Sequence, residues 1–337
     1  MIHENVELHN VAELRPAGGG LRPQRVPEEV RLQLNEAAQQ RVLQPDNCEL
    51  RFVCESGDAR VTLSSEGQTE VTVFYGTFDA RRRHLVGREP VTISQPGPER
   101  LKDLDRRYWK DLPFAPQVCR LVFGGPQRSP VVLHEVSGTD LRPPRPEELP
   151  TVTYLAYGTS ITHGFDCRAP YLSYAAQTAW HLGADLVNLG VGGSCYCEKA
   201  FADHIAGRTD WQIASLALSV NMQGFDLEEF SRRVGYMVRT VAAADPDRPV
   251  ACVTLYPYFR DLGIDNPERC YRVTAEQLRQ ALRDAVAAAG LQNLHLIEGQ
   301  EMLTGIAGLT FDLLHPSDNA MIEMGRNLAG RLKPLLA

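Results

Sequence analysis

The sequence has 337 residues, 43% of them hydrophobic and 23% charged, which is typical of a globular protein and excludes a disordered or fibrous one. A chain of this length is expected to divide into two domains, because single hydrophobic cores rarely extend over so many residues. The formal net charge is −7 and the basic residues are scattered, which argues against nucleic acid or an anionic membrane as the main partner. The longest basic run, residues 81–84, is expected to be a solvated turn.

The first residues lack a basic segment followed by an apolar one, and no stretch has the apolar length needed to span a bilayer. The eight cysteines are therefore expected to be reduced, in a cytoplasmic protein without a membrane partner. Cys195 and Cys197 make only a weak metal pair, because no second Cys or His pair at ligand spacing accompanies them. We expect no bound metal, and the sequence leaves a homo-oligomer open.

The first 140 residues alternate short β-branched segments with Gly- or Pro-containing turns. This pattern predicts an all-β sandwich of the jelly-roll kind. Ahead of the strands, apolar residues at helical spacing from Val30 to Val42 predict one lead-in helix. The predicted strands cover residues 49–53, 60–63, 70–75, 91–93, 118–123 and 131–136.

Residues 141–149 contain three prolines and are expected to be an extended linker. From residue 150 to 337, strands alternate with helices, which predicts a parallel sheet covered on both faces, a three-layer α/β/α domain. The predicted strands are 151–157, 186–189, 214–220, 250–255 and 294–297, and the predicted helices are 171–182, 226–243, 274–289 and 317–336.

Ligands of open parallel sheets bind at the carboxyl ends of the strands, so the loops there are expected to carry the chemistry. The first such loop holds Ser160 between small residues, where its hydroxyl could be exposed, although a serine that caps a turn is equally common. Thr162 stands where the Gly-x-Ser-x-Gly elbow of α/β-hydrolases needs glycine.

Near the C-terminus, Asp312 precedes His315 by three residues, where a fifth strand is expected to end. A carboxylate at this spacing can accept the Nδ1 proton of the histidine and stabilise the imidazolium that forms in general-base work. His163 is a poorer base, because it follows Ser160 too closely on a turning backbone. Two intervening loops carry Gly193 and Asn221, groups that can donate to an oxyanion.

The order of these blocks resembles the SGNH (GDSL-like) hydrolase family. The resemblance is carried by Ser160 in Gly-Thr-Ser-Ile-Thr, by Asn188 with Gly193, by Asn221, and by Asp-x-x-His-Pro from Asp312. It implies an SGNH-type α/β/α domain in which Ser160 is the nucleophile and His315 the base oriented by Asp312. The same resemblance implies an oxyanion hole made of the N–H groups of Ser160 and Gly193 and the side chain of Asn221, with no cofactor.

Three positions depart from the family pattern. Thr159 replaces the usual Asp of the first block. In the third block, Ser219 replaces a glycine and Met222 an acidic residue, which puts the fine geometry of that loop in doubt.

A sandwich ahead of an SGNH domain also resembles the layout of certain carbohydrate acetylesterases. The sequence therefore favours removal of small acyl groups, acetyl above all, from a small-molecule or saccharide ester. Candidate substrate-binding residues are His163, Tyr196, Tyr256 and Arg260. Two alternatives stay open, namely a lipase or thioesterase for longer chains and a non-catalytic carbohydrate-binding protein.

Overall fold

The computed structural model describes residues 1–266 and 270–336. Its first part contains short antiparallel strands, which are β1 Ile2–His3, β2 Val6–His9, β3 Glu13–Ala17, β4 Gly20–Gln24, β5 Glu49–Cys54, β6 Asp58–Ser65, β7 Thr69–Tyr75, β8 Phe78–Val86, β9 Val91–Pro96, β10 Cys119–Arg128, β11 Val131–Ser137 and β12 Leu141–Arg142.

These strands form two sheets that share one apolar core. One sheet has the order β1-β2-β5-β10-β7-β8, with β12 paired to β5, and the other has the order β3-β4-β11-β6-β9. In β6 the residues Ala59, Val61 and Leu63 point into the core, while the residues between them are more exposed, as expected of a strand with one buried face. The predicted sandwich is confirmed, and we call it the sandwich domain.

Two features of this domain differ from the sequence-based expectation. The basic run of residues 81–84 lies in β8 rather than in a turn, and β8 shifts register against β7 between Val73 and Phe74. Strands β1, β2, β3, β4, β8 and β12 were not predicted. Pro16 and Pro23 stand in β3 and β4, and proline removes a donor from the ladder.

In place of the single predicted lead-in helix, the structure has two short helices, α1 Glu28–Arg31 and α2 Glu36–Arg41. Four strands precede them. Asn35 ends the helical path because its backbone is extended, and its side chain caps α2 by accepting from the N–H of Ala38 at 3.0 Å. Leu34 and Ala38 pack into the core of the following domain and not into the sandwich. A third short helix, α3 Glu99–Lys102, lies between β9 and β10.

The second part of the chain alternates strands and helices. Its strands are β13 Thr153–Gly158, β14 Asp185–Gly190, β15 Ile213–Ala217, β16 Val250–Val253 and β17 Leu294–Ile297. Its helices are α4 Ser160–His163, α5 Tyr174–Leu182, α6 Lys199–Gly207, α7 Leu227–Ala243, α8 Ala275–Ala289, α9 Gly299–Met302 and α10 Asp318–Leu332. Helices α4, α6 and α9 were not predicted.

All five strands are parallel, in the order β14-β13-β15-β16-β17. The buried side chains of α6, α7 and α8 join the core on one face of the sheet, and those of α5 and α10 join the core on the other. The three-layer α/β/α fold is confirmed, and we call this part the α/β domain.

The register of the sheet places three loops side by side. Gly158, the last residue of β13, pairs with Gly190 of β14 and with Ala217 of β15. Because these residues end neighbouring parallel strands, the loops that follow them leave the same edge of the sheet.

Candidate active site

Ser160 opens α4, the single helical turn that follows β13. Its side chain faces an open cavity of about 420 Å³. Together with Ser160, this cavity is lined by Arg41, Gln44, His163, Phe165, Gly192, Gly193, Tyr196, Asn221, Leu314 and His315.

Ser160, His315 and Asp312 form a continuous hydrogen-bonded chain. Ser160 Oγ lies 2.9 Å from His315 Nε2, and His315 Nδ1 lies 2.5 Å from Asp312 Oδ2. Since an ionised carboxylate can only accept, the proton of the imidazole is on Nδ1, and Nε2 is left with a lone pair that faces the serine hydroxyl. This tautomer is the one that a general base needs.

Asp312 is held in its ionised form by several donors. Its Oδ1 accepts from the N–H groups of Leu314 and His315, each at 2.9 Å, and from the hydroxyl of Thr310 at 2.7 Å. Burial alone would raise the pKa of Asp312, but the hydrogen bonds from His315 and Leu314 outweigh it and lower the pKa to about 2. The carboxylate is therefore charged throughout the neutral range.

The sequence predicted that the loop with Asp312 and His315 starts where the fifth strand ends. The structure shows that it does not. Strand β17 ends at Ile297, and α9 intervenes before the loop. The loop is shaped instead by a bridge between Leu309 and Pro316 and by the N–H of Phe259, which donates to Leu313 O at 2.8 Å.

Gly193 and Asn221 meet Ser160 at the same cavity. Gly193 has φ +72°, a backbone conformation that favours glycine, and within the described part of the chain its N–H has no protein acceptor. Asn221 Oδ1 accepts from the N–H of Cys195 at 3.1 Å, which leaves its Nδ2 as the side-chain donor of this loop.

The structure separates the four candidate substrate-binding residues into two pairs. His163 and Tyr196 line the cavity, whereas Tyr256 and Arg260 are not among its lining residues. Tyr256 is buried against Tyr174, with ring centroids 6.0 Å apart. Arg260 donates to Val273 O at 2.8 Å.

Several cavity residues were missed by sequence reasoning. Arg41 and Gln44 come from the end of α2 and the turn after it, far from Ser160 in sequence, and no local pattern marks them. Phe165 packs its ring 5.0 Å from the imidazole of His315. Its aromatic character beside the Ser160 turn was the one available signal.

Asp166 is a second carboxylate near His315, with Oδ2 3.6 Å from Nδ1. Asp166, Asp312 and His315 bring their ligand atoms within 4.8 Å of one another, a spacing that could also hold a cation. However, both nitrogens of His315 are already engaged by Ser160 and Asp312, which leaves only the carboxylates for a metal.

A serine–histidine–aspartate chain beside two donor loops, at the carboxyl edge of a parallel sheet, defines an acyl-transfer type of site. Residues 156–321 match the model of the GDSL-like Lipase/Acylhydrolase family. The match covers most of the α/β domain. No curated protein matches the sequence.

Solved structures share the whole two-domain fold at low sequence identity. A salicylyl-acyltransferase from a tetracycline biosynthetic pathway has a TM-score of 0.73 at 16% identity, over 96% of this chain and 93% of its own. A family two carbohydrate esterase from Cellvibrio japonicus has a TM-score of 0.59 at 11% identity, over 99% of this chain and 96% of its own. Another from Clostridium thermocellum, in complex with cellohexaose, has a TM-score of 0.58 at 15% identity, over 86% of this chain and 92% of its own.

None of the described helices combines the length and the apolar character needed to cross a membrane.

Proposed function

We propose that this protein is a serine ester hydrolase that uses Ser160 as its nucleophile. The observation that carries the proposal is the hydrogen-bonded order Ser160 Oγ, His315 Nε2, His315 Nδ1, Asp312 Oδ2, with contacts of 2.9 Å and 2.5 Å. This arrangement activates a hydroxyl that is otherwise a weak nucleophile.

In the first half of the reaction, Ser160 Oγ bonds to the ester carbonyl carbon while its proton moves to His315 Nε2. The carbonyl oxygen becomes an oxyanion, which the N–H groups of Ser160 and Gly193 and the Nδ2 of Asn221 stabilise. The carbon–oxygen bond to the alcohol then breaks, and His315 returns the proton to the leaving oxygen.

In the second half, water attacks the acyl-serine with His315 again as the base, and the carboxylic acid and free Ser160 are released. Asp312 remains ionised throughout and stabilises the imidazolium in both halves. The reaction needs only side chains and backbone donors of this chain.

The substrate we propose is an ester of a small acyl group, acetyl in the first instance, on a carbohydrate. Three observations support this choice. The rim of the cavity is polar, with Arg41, Gln44 and Tyr196 able to bind hydroxyl-rich groups. Phe165 and Leu314 are the apolar side chains of its lining, too few for a long acyl chain. Family two carbohydrate esterases share the same order of domains.

The test is the hydrolysis of 4-nitrophenyl esters from acetyl to decanoyl, together with acetylated mono- and oligosaccharides. We expect kcat/KM to be highest for acetyl and to fall with chain length. A maximum at long chains would support the lipase or thioesterase alternative instead.

Ser160→Ala is the matched control, and we expect it to lower kcat by roughly 10³-fold or more while the thermal unfolding midpoint is unchanged. Equal activity of the two proteins would remove the nucleophile assignment. Saccharide binding without turnover in the wild type would favour the non-catalytic alternative.

A further inference from the structure

A second histidine–carboxylate pair lies next to the glycine-rich segment of residues 190–193. His163, on the turn after Ser160, is 1% exposed, and Asp46, from the sandwich side of the interface, is also 1% exposed. His163 Nε2 lies 3.0 Å from Asp46 Oδ2. No local sequence pattern indicates this pair, because its members are far apart in the chain.

The other nitrogen of His163 faces the oxyanion side. The backbone N–H of Gly192 donates to His163 Nδ1 at 3.3 Å. Nε2 lies 3.0 Å from Asp46 Oδ2 and 3.3 Å from Arg25 Nη2. The shorter contact is with a carboxylate, which can only accept, so the proton of the neutral ring is on Nε2 and Nδ1 carries the lone pair. Burial, reinforced by Arg25 and Arg128 against the opposing effect of Asp46, lowers the pKa of His163 to about 4, so the acceptor is present at neutral pH.

Two buried arginines complete the cluster. Arg25, 2% exposed, donates to the carbonyl oxygens of Asn188 at 3.1 Å and of Gly190 at 2.9 Å, which lie at the end of β14. Arg128 Nη1 lies 3.3 Å from Asp46 Oδ1 and its Nη2 donates to Gly164 O at 3.3 Å. The segment that leads to Gly193 is thus held from the sandwich side by charged groups.

Close backbone packing makes this hold rigid. A Cβ on Gly190 would lie 2.3 Å from the backbone nitrogen of His163, so these two backbone segments are in direct contact. Gly192 is bonded to His163, and the next residue is Gly193, the proposed oxyanion donor. The Gly192 N–H belongs to the 191–192 peptide, so its bond to Nδ1 fixes the peptide from which the Gly193 segment leaves. Ser194 Oγ donates to Gly192 O at 3.2 Å and holds the 192–193 peptide, which carries the Gly193 N–H.

We propose that His163, held by Asp46, is a positioning residue that fixes the Gly192–Gly193 backbone in the orientation needed to stabilise the oxyanion. The sandwich domain thereby becomes part of the active site through Asp46 and Arg25. This inference rests on the proposed ester hydrolysis.

Two variants of His163 separate its two polar contacts. In His163→Asn, the side-chain Oδ1 occupies the place of Nδ1 and can still accept from Gly192, but the contact with Asp46 is lost. In His163→Gln, the amide nitrogen occupies the place of Nε2 and can still face Asp46, but no acceptor remains for Gly192.

We expect His163→Gln to lower kcat for acetyl esters by roughly 10- to 100-fold with KM nearly unchanged, because an oxyanion donor that is misplaced acts on the transition state alone. His163→Asn is expected to lose less than about threefold. Equal losses in the two variants, or a wild-type kcat in His163→Gln, would overturn the proposal.

Amide hydrogen exchange over residues 190–193 supplies a readout that does not depend on esterase activity. We expect faster exchange in His163→Gln and wild-type exchange in His163→Asn. If the wild type has no Ser160-dependent activity but this difference is found, the proposed function fails while the positioning role stands. Identical exchange in both variants contradicts the positioning role.

Asp46→Ala tests the same link from the sandwich domain, and it serves if His163→Gln does not fold. Without the carboxylate, the ring is free to move its proton to Nδ1 and can no longer accept from Gly192. We expect the kcat loss of His163→Gln with KM unchanged, and a wild-type kcat would overturn the proposal.

Discussion

Two histidine–aspartate pairs flank Ser160, and they present opposite nitrogens to the site. In the first pair, His315 gives Nδ1 to Asp312 and turns the lone pair of Nε2 to the serine hydroxyl. In the second, His163 gives Nε2 to Asp46 and turns the lone pair of Nδ1 to the N–H of Gly192.

The group that faces each lone pair decides what the histidine can do. A serine hydroxyl can release its proton when it attacks a carbonyl, so His315 can act as a base. A backbone amide does not release its proton, so His163 can only hold its donor in place. The surroundings differ in the same sense, because the side chain of Asp312 is 43% exposed and that of Asp46 is 2% exposed.

Replacing the carboxylate of the exposed pair is expected to have the largest effect. Asp312→Asn removes the acceptor that fixes the tautomer of His315, and we expect kcat for acetyl esters to fall by about 10³- to 10⁴-fold. The measurement is steady-state kinetics of the two proteins.

Asp166→Asn is the matched control, because Asp166 lies 3.6 Å from His315 Nδ1, beyond hydrogen-bond reach. We expect its kcat to change by less than about fivefold. A loss below tenfold in Asp312→Asn would show that Asp312 is not the orienting group.

A residue buried at the domain interface but remote from Ser160 is expected to affect stability without affecting kcat. Arg51 also crosses the interface, and its Nη1 and Nη2 each lie 2.6 Å from a carboxylate oxygen of Asp185 at the start of β14. Arg51→Met leaves Asp185 buried without its guanidinium partner, whereas Glu49 keeps Arg120. We expect the free energy of unfolding to fall by roughly 3–5 kcal/mol. Because this end of β14 is remote from Gly190, kcat of the folded enzyme should not change.

Urea unfolding and kinetics of Arg51→Met measure both quantities. Arg15→Met removes an exposed pair with Glu13 at 3.1 Å and is the control, with an expected change within about 0.5 kcal/mol. If Arg51→Met lowered kcat as much as His163→Gln, the activity would depend on domain docking in general and not on the His163 contact.

The buried pair also predicts how stability depends on pH. The pKa of His163 is lowered from 6.5 to about 4 by burial, so below pH 6.5 the unfolded chain binds a proton that the folded protein does not. Stability should therefore fall as the pH drops from 6.5 towards 4, by up to about 3 kcal/mol from this group.

His163→Asn removes the titrating ring, so its stability should fall less steeply over the same range. Unfolding free energies at pH 7, 5.5 and 4.5 measure the slopes. His204, whose pKa burial lowers to about 4, contributes to both proteins and cancels in the difference. Parallel curves for the two proteins would contradict a neutral His163 in the folded state.

The fold and one half of the site could be predicted from the sequence because their signals are local. Alternation of strands and helices predicts the parallel sheet, and a serine, a glycine-rich segment and an Asp-x-x-His run each stand in a loop at one edge of it. The structure brings Ser160, Gly193, Asn221 and His315 to one cavity.

The other half could not be predicted, because it depends on how two domains meet. Asp46 and Arg41 lie in the first part of the chain, and no spacing relates them to Ser160. Sequence alone does not fix the direction of Tyr256 for a related reason. A residue just after a strand can point to the core as easily as to the cavity, and Tyr256 packs in the core.

Ser219 gives the smallest expected effect and concerns the third donor loop. It has φ +115°, a conformation that favours glycine, and its hydroxyl is buried with no partner among the described residues. Relief of strain of about 1–3 kcal/mol, less the extra chain entropy of glycine of about 0.5–1 kcal/mol, predicts that Ser219→Gly stabilises the protein by about 1 kcal/mol.

Ser215→Gly is the matched control, because Ser215 lies in β15 and its hydroxyl is 2.5 Å from that of Tyr154, so we expect it to destabilise the protein. Thermal unfolding of both variants decides the matter. If Ser219→Gly raised stability and also lowered kcat, the strained serine would be holding Asn221 in position just as His163 is proposed to hold Gly192. Stability gained without a loss of kcat would show that Ser219 does not position Asn221. A Ser219→Gly protein no more stable than the wild type would show that the backbone at Ser219 is not strained.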